Sequence, residues 1–108
     1  MNRREVKREF KERKPAKGVF AIRCSASGEV WVAASGNLKA SETGQFFMLR
    51  NGSHLNKRMQ AAWDTHGAGA FVFEVLETFD EDAPDLVVRD LSRERPKFWV
   101  KELGAAMV

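Results

Sequence analysis

The sequence predicts a small α/β sandwich, with a three-stranded, mainly antiparallel sheet flanked by helices and a basic helix ahead of it. Three observations lead there. Apolar residues alternate over 19–24, 29–34 and 71–78, the period of a half-buried strand. Over 38–50, 54–66 and 86–103 they recur at helical spacing instead. The first two strands are joined by the short loop Ser25-Ala26-Ser27-Gly28, as in a β-hairpin. At 108 residues the chain has single-domain length and can bury roughly 60–70% of its unfolded surface in one core.

Each element has its own local warrant. Residues 1–17 hold eight basic side chains (Arg3, Arg4, Lys7, Arg8, Lys11, Arg13, Lys14, Lys17) against three acids, while the rest of the chain is slightly acidic. Val6 and Phe10 lie four apart in this arm and Glu9 precedes Arg13 by four, which favours a helix; Pro15 ends it. In the first strand Phe20, Ile22 and Cys24 share a face, so Cys24 reads as a buried structural thiol. Ser35-Gly36-Asn37 offers an N-cap for 38–50, a weak helix interrupted by Gly44. Asn51-Gly52 closes it, Ser53 caps 54–66, and Gly67 ends that helix. In the third strand Phe71, Phe73 and Val75 share a face. The stretch 80–85 is an acidic loop. Pro96 falls inside the last helical pattern, and an interior proline costs ~3 kcal/mol, so the last helix is expected to start near Pro96. The expected divisions are an arm (1–17), the domain (18–104) and a short tail (105–108).

Composition removes several chemistries. One cysteine leaves no internal disulfide and no Cys-rich zinc site. There is no tyrosine, hence no phenol to act as nucleophile or base. No segment approaches the ~18 apolar residues of a membrane span, so no membrane partner is expected, and reducing cytoplasm is the expected compartment. His54 and His66 bracket one helix but differ by about 120° around it, which makes a shared metal site improbable. Nucleotide-binding loops, zincin motifs and calcium loops are absent. What the residues do offer is basic charge. The arm can attract a phosphate backbone without reading sequence. His54, Asn56, Lys57 and Arg58 at a helix start, with Arg23 on the first strand, add donors where backbone N–H groups favour anions.

The order of residues is also similar to a known family. Gly18-Val19-Phe20, a hairpin, then Trp31-Val32-Ala33 with Ser35-Gly36-Asn37-Leu38 resembles the signature of GIY-YIG nucleases. The similarity continues through Gly52-Ser53-His54-Leu55-Asn56-Lys57-Arg58 up to Trp63, through Gly69–Leu76, and in Phe98-Trp99-Val100 with Leu103. It covers roughly residues 15–103 and looks like a bacterial branch of the family. The resemblance implies a small α/β domain that cuts phosphodiesters with one divalent metal, Mg²⁺ or Mn²⁺. It also implies two tyrosines to handle the attacking water, an arginine for the phosphate and a glutamate for the metal. Here those four positions fall on Phe20, Trp31, Ser41 and Pro96. Glu94 is the nearest substitute acid, but two helical steps turn it by about 200°.

Three functions follow as expectations. The favoured one is a degenerate, non-cleaving member that needs no cofactor and binds nucleic acid, DNA in preference to RNA. The second is an active endonuclease using a metal held by Glu94. The third is a protein-interaction domain, suggested by the acidic loop and the apolar tail Ala105–Val108.

Overall fold

In the computed structural model, which describes residues 15–108, the expected hairpin forms. Strand β1 (Gly18–Cys24) pairs antiparallel with β2 (Val30–Ser35), from Gly18 opposite Ser35 to Arg23 opposite Val30. The loop closes through Gly28 N–H donating to Cys24 O (2.8 Å) and Cys24 N–H donating to Glu29 O (2.9 Å). Helix α1 (Leu38–Arg50) follows, capped by Asn37, whose side chain accepts from the Ala40 N–H. Helix α2 (Lys57–His66), a 3₁₀ turn (Ala68–Ala70), β3 (Phe71–Thr78) and α3 (Asp85–Leu103) complete the run. β3 joins the other edge of β1, also antiparallel, with an irregularity between Val19 and Phe20.

Gly18 is set by that pairing. A Cβ at this position would collide with the carbonyl oxygen of Glu77 on β3, so only glycine lets the two backbones approach this closely.

Three expectations are corrected. The sheet has four strands in the order β3-β1-β2-β4, and it is mixed, because Ala106–Met107 form β4 parallel to Trp31–Val32 of β2. Those tail residues do not stand apart from the domain: the free edge of β2 takes them up, and Val108 N–H donates to Val32 O (3.0 Å). The last helix does not begin near Pro96 but runs from Asp85 with Pro96 inside it. Proline supplies no N–H there. The helix persists because Pro96 is buried and Val88, Leu91, Trp99, Val100 and Leu103 pack together on the sheet. Finally, α2 starts at Lys57 under Asn56, not under Ser53, and Leu55, expected on its apolar face, is 88% exposed. The basic arm, apart from Pro15–Lys17, lies outside the described residues.

The core has two halves. Under α1 and α2 lie Phe20, Ile22, Cys24, Trp31, Leu38, Leu49, Met59 and Phe71. Val19, Ala21 and Val32 face the other way, against α3. Strand alternation accounts for this split. No helix of the described residues is long and apolar enough to cross a membrane.

Candidate functional site

The four positions to which the resemblance assigns chemistry are held by packing or by internal hydrogen bonds. Phe20 is buried and stacks on Phe73 with ring centroids 4.9 Å apart. Trp31 is buried and stacks on Phe71 at 6.3 Å; Trp63 meets the same ring edge-on at 5.1 Å. Ser41 on α1 is 2.6 Å from the hydroxyl of Ser35, which is buried at the end of β2. Pro96 lies at helical spacing with Val100 and Leu103, which belong to the α3 half of the core. Phe20 and Trp31 thus face α1 and α2, whereas the Pro96 side of α3 faces the opposite half. Glu94 is exposed, consistent with its turn of about 200° from Pro96. Among the described residues no three His, Cys, Asp or Glu side chains converge on a point. Phe20, Trp31, Ser41 and Pro96 themselves offer no carboxylate, imidazole or thiolate to a divalent ion, so the residues at these positions do not fit one.

The basic candidates divide by whether their charge is already engaged. Arg3, Arg4, Lys7, Arg8, Lys11, Arg13 and Lys14 lie outside the described residues. Lys17 is half-buried at a cleft of about 690 Å³ shared with Asn37, Lys39, Thr78 and Glu81. Arg23 donates from Nε (2.9 Å) and Nη2 (3.4 Å) to the Glu74 carboxylate across the β1–β3 pair. Arg58 donates to Glu29 Oε2 at 2.5 Å, and this bond holds the Glu29 carboxyl below its usual pKa. Lys57 is exposed and has no carboxylate partner among the described residues.

His54 is corrected outright as a phosphate contact, because it is buried and both ring nitrogens are occupied. Its Nδ1 accepts from the Asn56 N–H (3.0 Å), which places the proton on Nε2 facing Gln45 Oε1 at 2.5 Å. The backbone N–H of His54 donates to Gln60 Oε1 (3.1 Å), and Gln60 Nε2 donates to Leu49 O (3.1 Å) and Asp64 Oδ1 (3.0 Å). Asn56 is used too: its Oδ1 accepts from Met59 N–H (3.0 Å), and its Nδ2 donates to Met107 O (3.4 Å). Burial pushes the His54 pKa below its ordinary value, because the charged ring would lack the water that stabilises it in solution. Within the string 54–58, His54 and Asn56 are thus spent fastening α2 to α1 and to β4.

Two sets of polar residues escaped the sequence reading. Gln45 and Gln60 partner His54, and neither has a signal in the sequence beyond a polar residue on a helix. Glu77 accepts from Arg95 Nε (2.6 Å) and Trp99 Nε1 (2.7 Å), tying α3 to β3, while the Arg95 guanidinium sits 4.3 Å from the centroid of the Phe98 ring. The outer side of α3 also carries exposed cations that a helix beginning at Pro96 would have divided.

No family model and no curated protein matches the chain. Two solved structures are similar to it: the catalytic domain of homing endonuclease I-TevI, and a Glu-to-Ala mutant of the catalytic domain of intron endonuclease I-TevI. Each aligns with a TM-score of 0.69 and 26% identity over 82% of this chain, covering 88% and 84% of the respective partner.

Proposed function

Since the chain has a GIY-YIG-like fold, we propose that it is a nuclease-derived module that binds nucleic acid, DNA in preference to RNA, and does not cut it. One observation carries this reading. Phe20, Trp31 and Pro96 are buried at positions where the resemblance expects two phenols and an acid, in a chain with no tyrosine. Aromatic packing needs no hydroxyl, whereas activating water does. Binding needs only a favourable field, and the arm of residues 1–17, with Lys57, supplies cations for a phosphate backbone. No resident cofactor enters this reading.

Two measurements on the full chain test it. Fluorescence titration of a labelled DNA duplex should show affinity that falls steeply between about 50 and 200 mM salt, as counterion release requires. Supercoiled plasmid with Mg²⁺ or Mn²⁺ should stay intact with the wild type and with Glu94→Ala alike. Nicking by the wild type that Glu94→Ala abolishes would overturn the non-cleaving part. Binding without a salt slope would overturn the nucleic-acid part.

A further inference from the structure

We infer that the outer side of α3 is a phosphate-tracking ridge, built from Arg89, Arg93, Lys97 and Lys101, that lies along the backbone of a nucleic-acid duplex. This rests on the nucleic-acid reading above and assigns it a surface. The four cations recur every fourth residue of one continuous helix, Asp85–Leu103. At about 100° and 1.5 Å per residue, they sweep about 120° around the axis over about 18 Å. All four are exposed. None forms a salt bridge with a carboxylate of the described residues, where the ion pairs are Arg23–Glu74, Arg58–Glu29 and Arg95–Glu77.

That last point separates the ridge from the cations of the hairpin and α2. Arg23 and Arg58 would have to leave a carboxylate to meet a phosphate, whereas the ridge cations release only counterions. Of the four acids on α3, Asp90 falls within the swept sector, while Asp85, Glu94 and Glu102 fall outside it. Asp85 and Glu94 border the sector, about 40° and 20° beyond its ends, and Glu102 lies well away, so within the sector four cations face one acid. A row of this kind complements a linear polyanion and carries no means of reading bases. At the same rotation per residue, the core-facing Pro96, Val100 and Leu103 lie within about 40° of Arg89 around the axis, so the row starts beside the core-facing stripe and turns away from it toward Lys101. The continuity of the helix through Pro96 is what aligns the pairs Arg89/Arg93 and Lys97/Lys101 into one row.

The test compares the full chain with Arg89→Gln/Arg93→Gln/Lys97→Gln/Lys101→Gln by titrating a labelled duplex across salt, with circular dichroism to confirm the fold. Glutamine is a good helix former, and a Lys97→Gln/Lys101→Gln double variant provides a milder form. The quadruple variant should flatten the plot of log K against log salt by about 3 to 4 and the double by about 2. The wild type should then lose about 10²-fold more affinity than the quadruple variant between about 50 and 200 mM salt. Lys39→Gln/Arg50→Gln on α1 should leave the slope unchanged. An unchanged slope in a folded quadruple variant overturns the ridge while leaving the nucleic-acid reading standing. An equal loss per cation in the α1 variant reduces the effect to net charge and also overturns the ridge. A wild type that fails to bind duplex at low salt overturns both readings. Ridge-dependent capture by phosphatidylserine vesicles, with duplex binding unaffected, overturns the assignment in favour of a membrane surface.

Discussion

The two faces of the sheet are covered by different means. Beneath α1 and α2 the core is aromatic: Phe20, Trp31, Phe71 and Phe73, with Phe46 and Trp63 packed against them. That face is closed by the hydrogen-bond network centred on His54. Beneath α3 the sheet presents small and aliphatic side chains, Val19, Ala21 and Val32, and the helix is fastened at one point by Glu77, which receives both Arg95 and Trp99. The aromatic face holds the positions where related chemistry would want phenols, yet its polar groups serve only to hold helices. On the α3 side the charge has been left outside. On the proposed reading, this contrast is that of a scaffold whose interior serves stability and whose capacity to meet a ligand is electrostatic.

The sharpest way to break the comparison is to empty the aromatic face. Trp31→Ala removes a fully buried indole from between β2 and Phe71. The expected loss is about 3–5 kcal/mol, measured by urea unfolding. A loss below about 1 kcal/mol would mean that this face is not the better-packed one. Next comes the seam between the faces: Gly18→Ala forces a methyl group against the Glu77 carbonyl and should cost about 1–3 kcal/mol, the range for overpacking. The α3 face should be less sensitive. Glu77→Leu leaves Trp99 Nε1 and Arg95 Nε without their acceptor. Both groups are half-buried, so we expect about 1–2 kcal/mol, with near-ultraviolet circular dichroism reporting the altered Trp99 environment. A cost above that of Trp31→Ala would reverse the order.

Much of this architecture is legible in the sequence because periodicity and turn residues carry it. The alternation over 71–78 gives β3 its observed bounds, and the capping stretch Ser35-Gly36-Asn37 with the helical pattern behind it gives α1 its bounds. What could not be read is what depends on tertiary partners. Pro96 argues locally for a helix start, but burial of the stripe on both sides of it outweighs the missing N–H. β4 is two exposed residues with no pattern of their own, and it exists because β2 has an edge to offer. At the candidate site the substitutions themselves are visible in the sequence, since Phe20 and Trp31 lack hydroxyls whatever their surroundings. His54 is the opposite case. Beside Lys57 and Arg58 it reads as part of a basic string, and only the fold shows that its ring caps a neighbouring backbone N–H.

His54 also provides the finest test of the difference between the faces. Its neutral form is favoured by burial, so its pKa is lower in the folded chain than the ordinary 6.5. The unfolded chain then binds more protons in the interval below 6.5, and stability must decline as pH falls. The contribution is fully present above about 6.5 and is lost progressively as pH drops toward and through the lowered folded value. Geometry gives the same sign. Protonating Nδ1 would turn an acceptor into a donor facing the Asn56 N–H, breaking the bond that holds the entry to α2. Urea unfolding at a series of pH values between about 8 and 5, compared with His54→Gln, isolates the effect, because other titrating groups are common to both proteins. The variant should be less stable at pH 8, and the gap should narrow as the pH is lowered. A gap that stays constant would mean that the imidazole is not held neutral by the fold. The aromatic face would then owe its closure to packing alone, as the α3 face largely does.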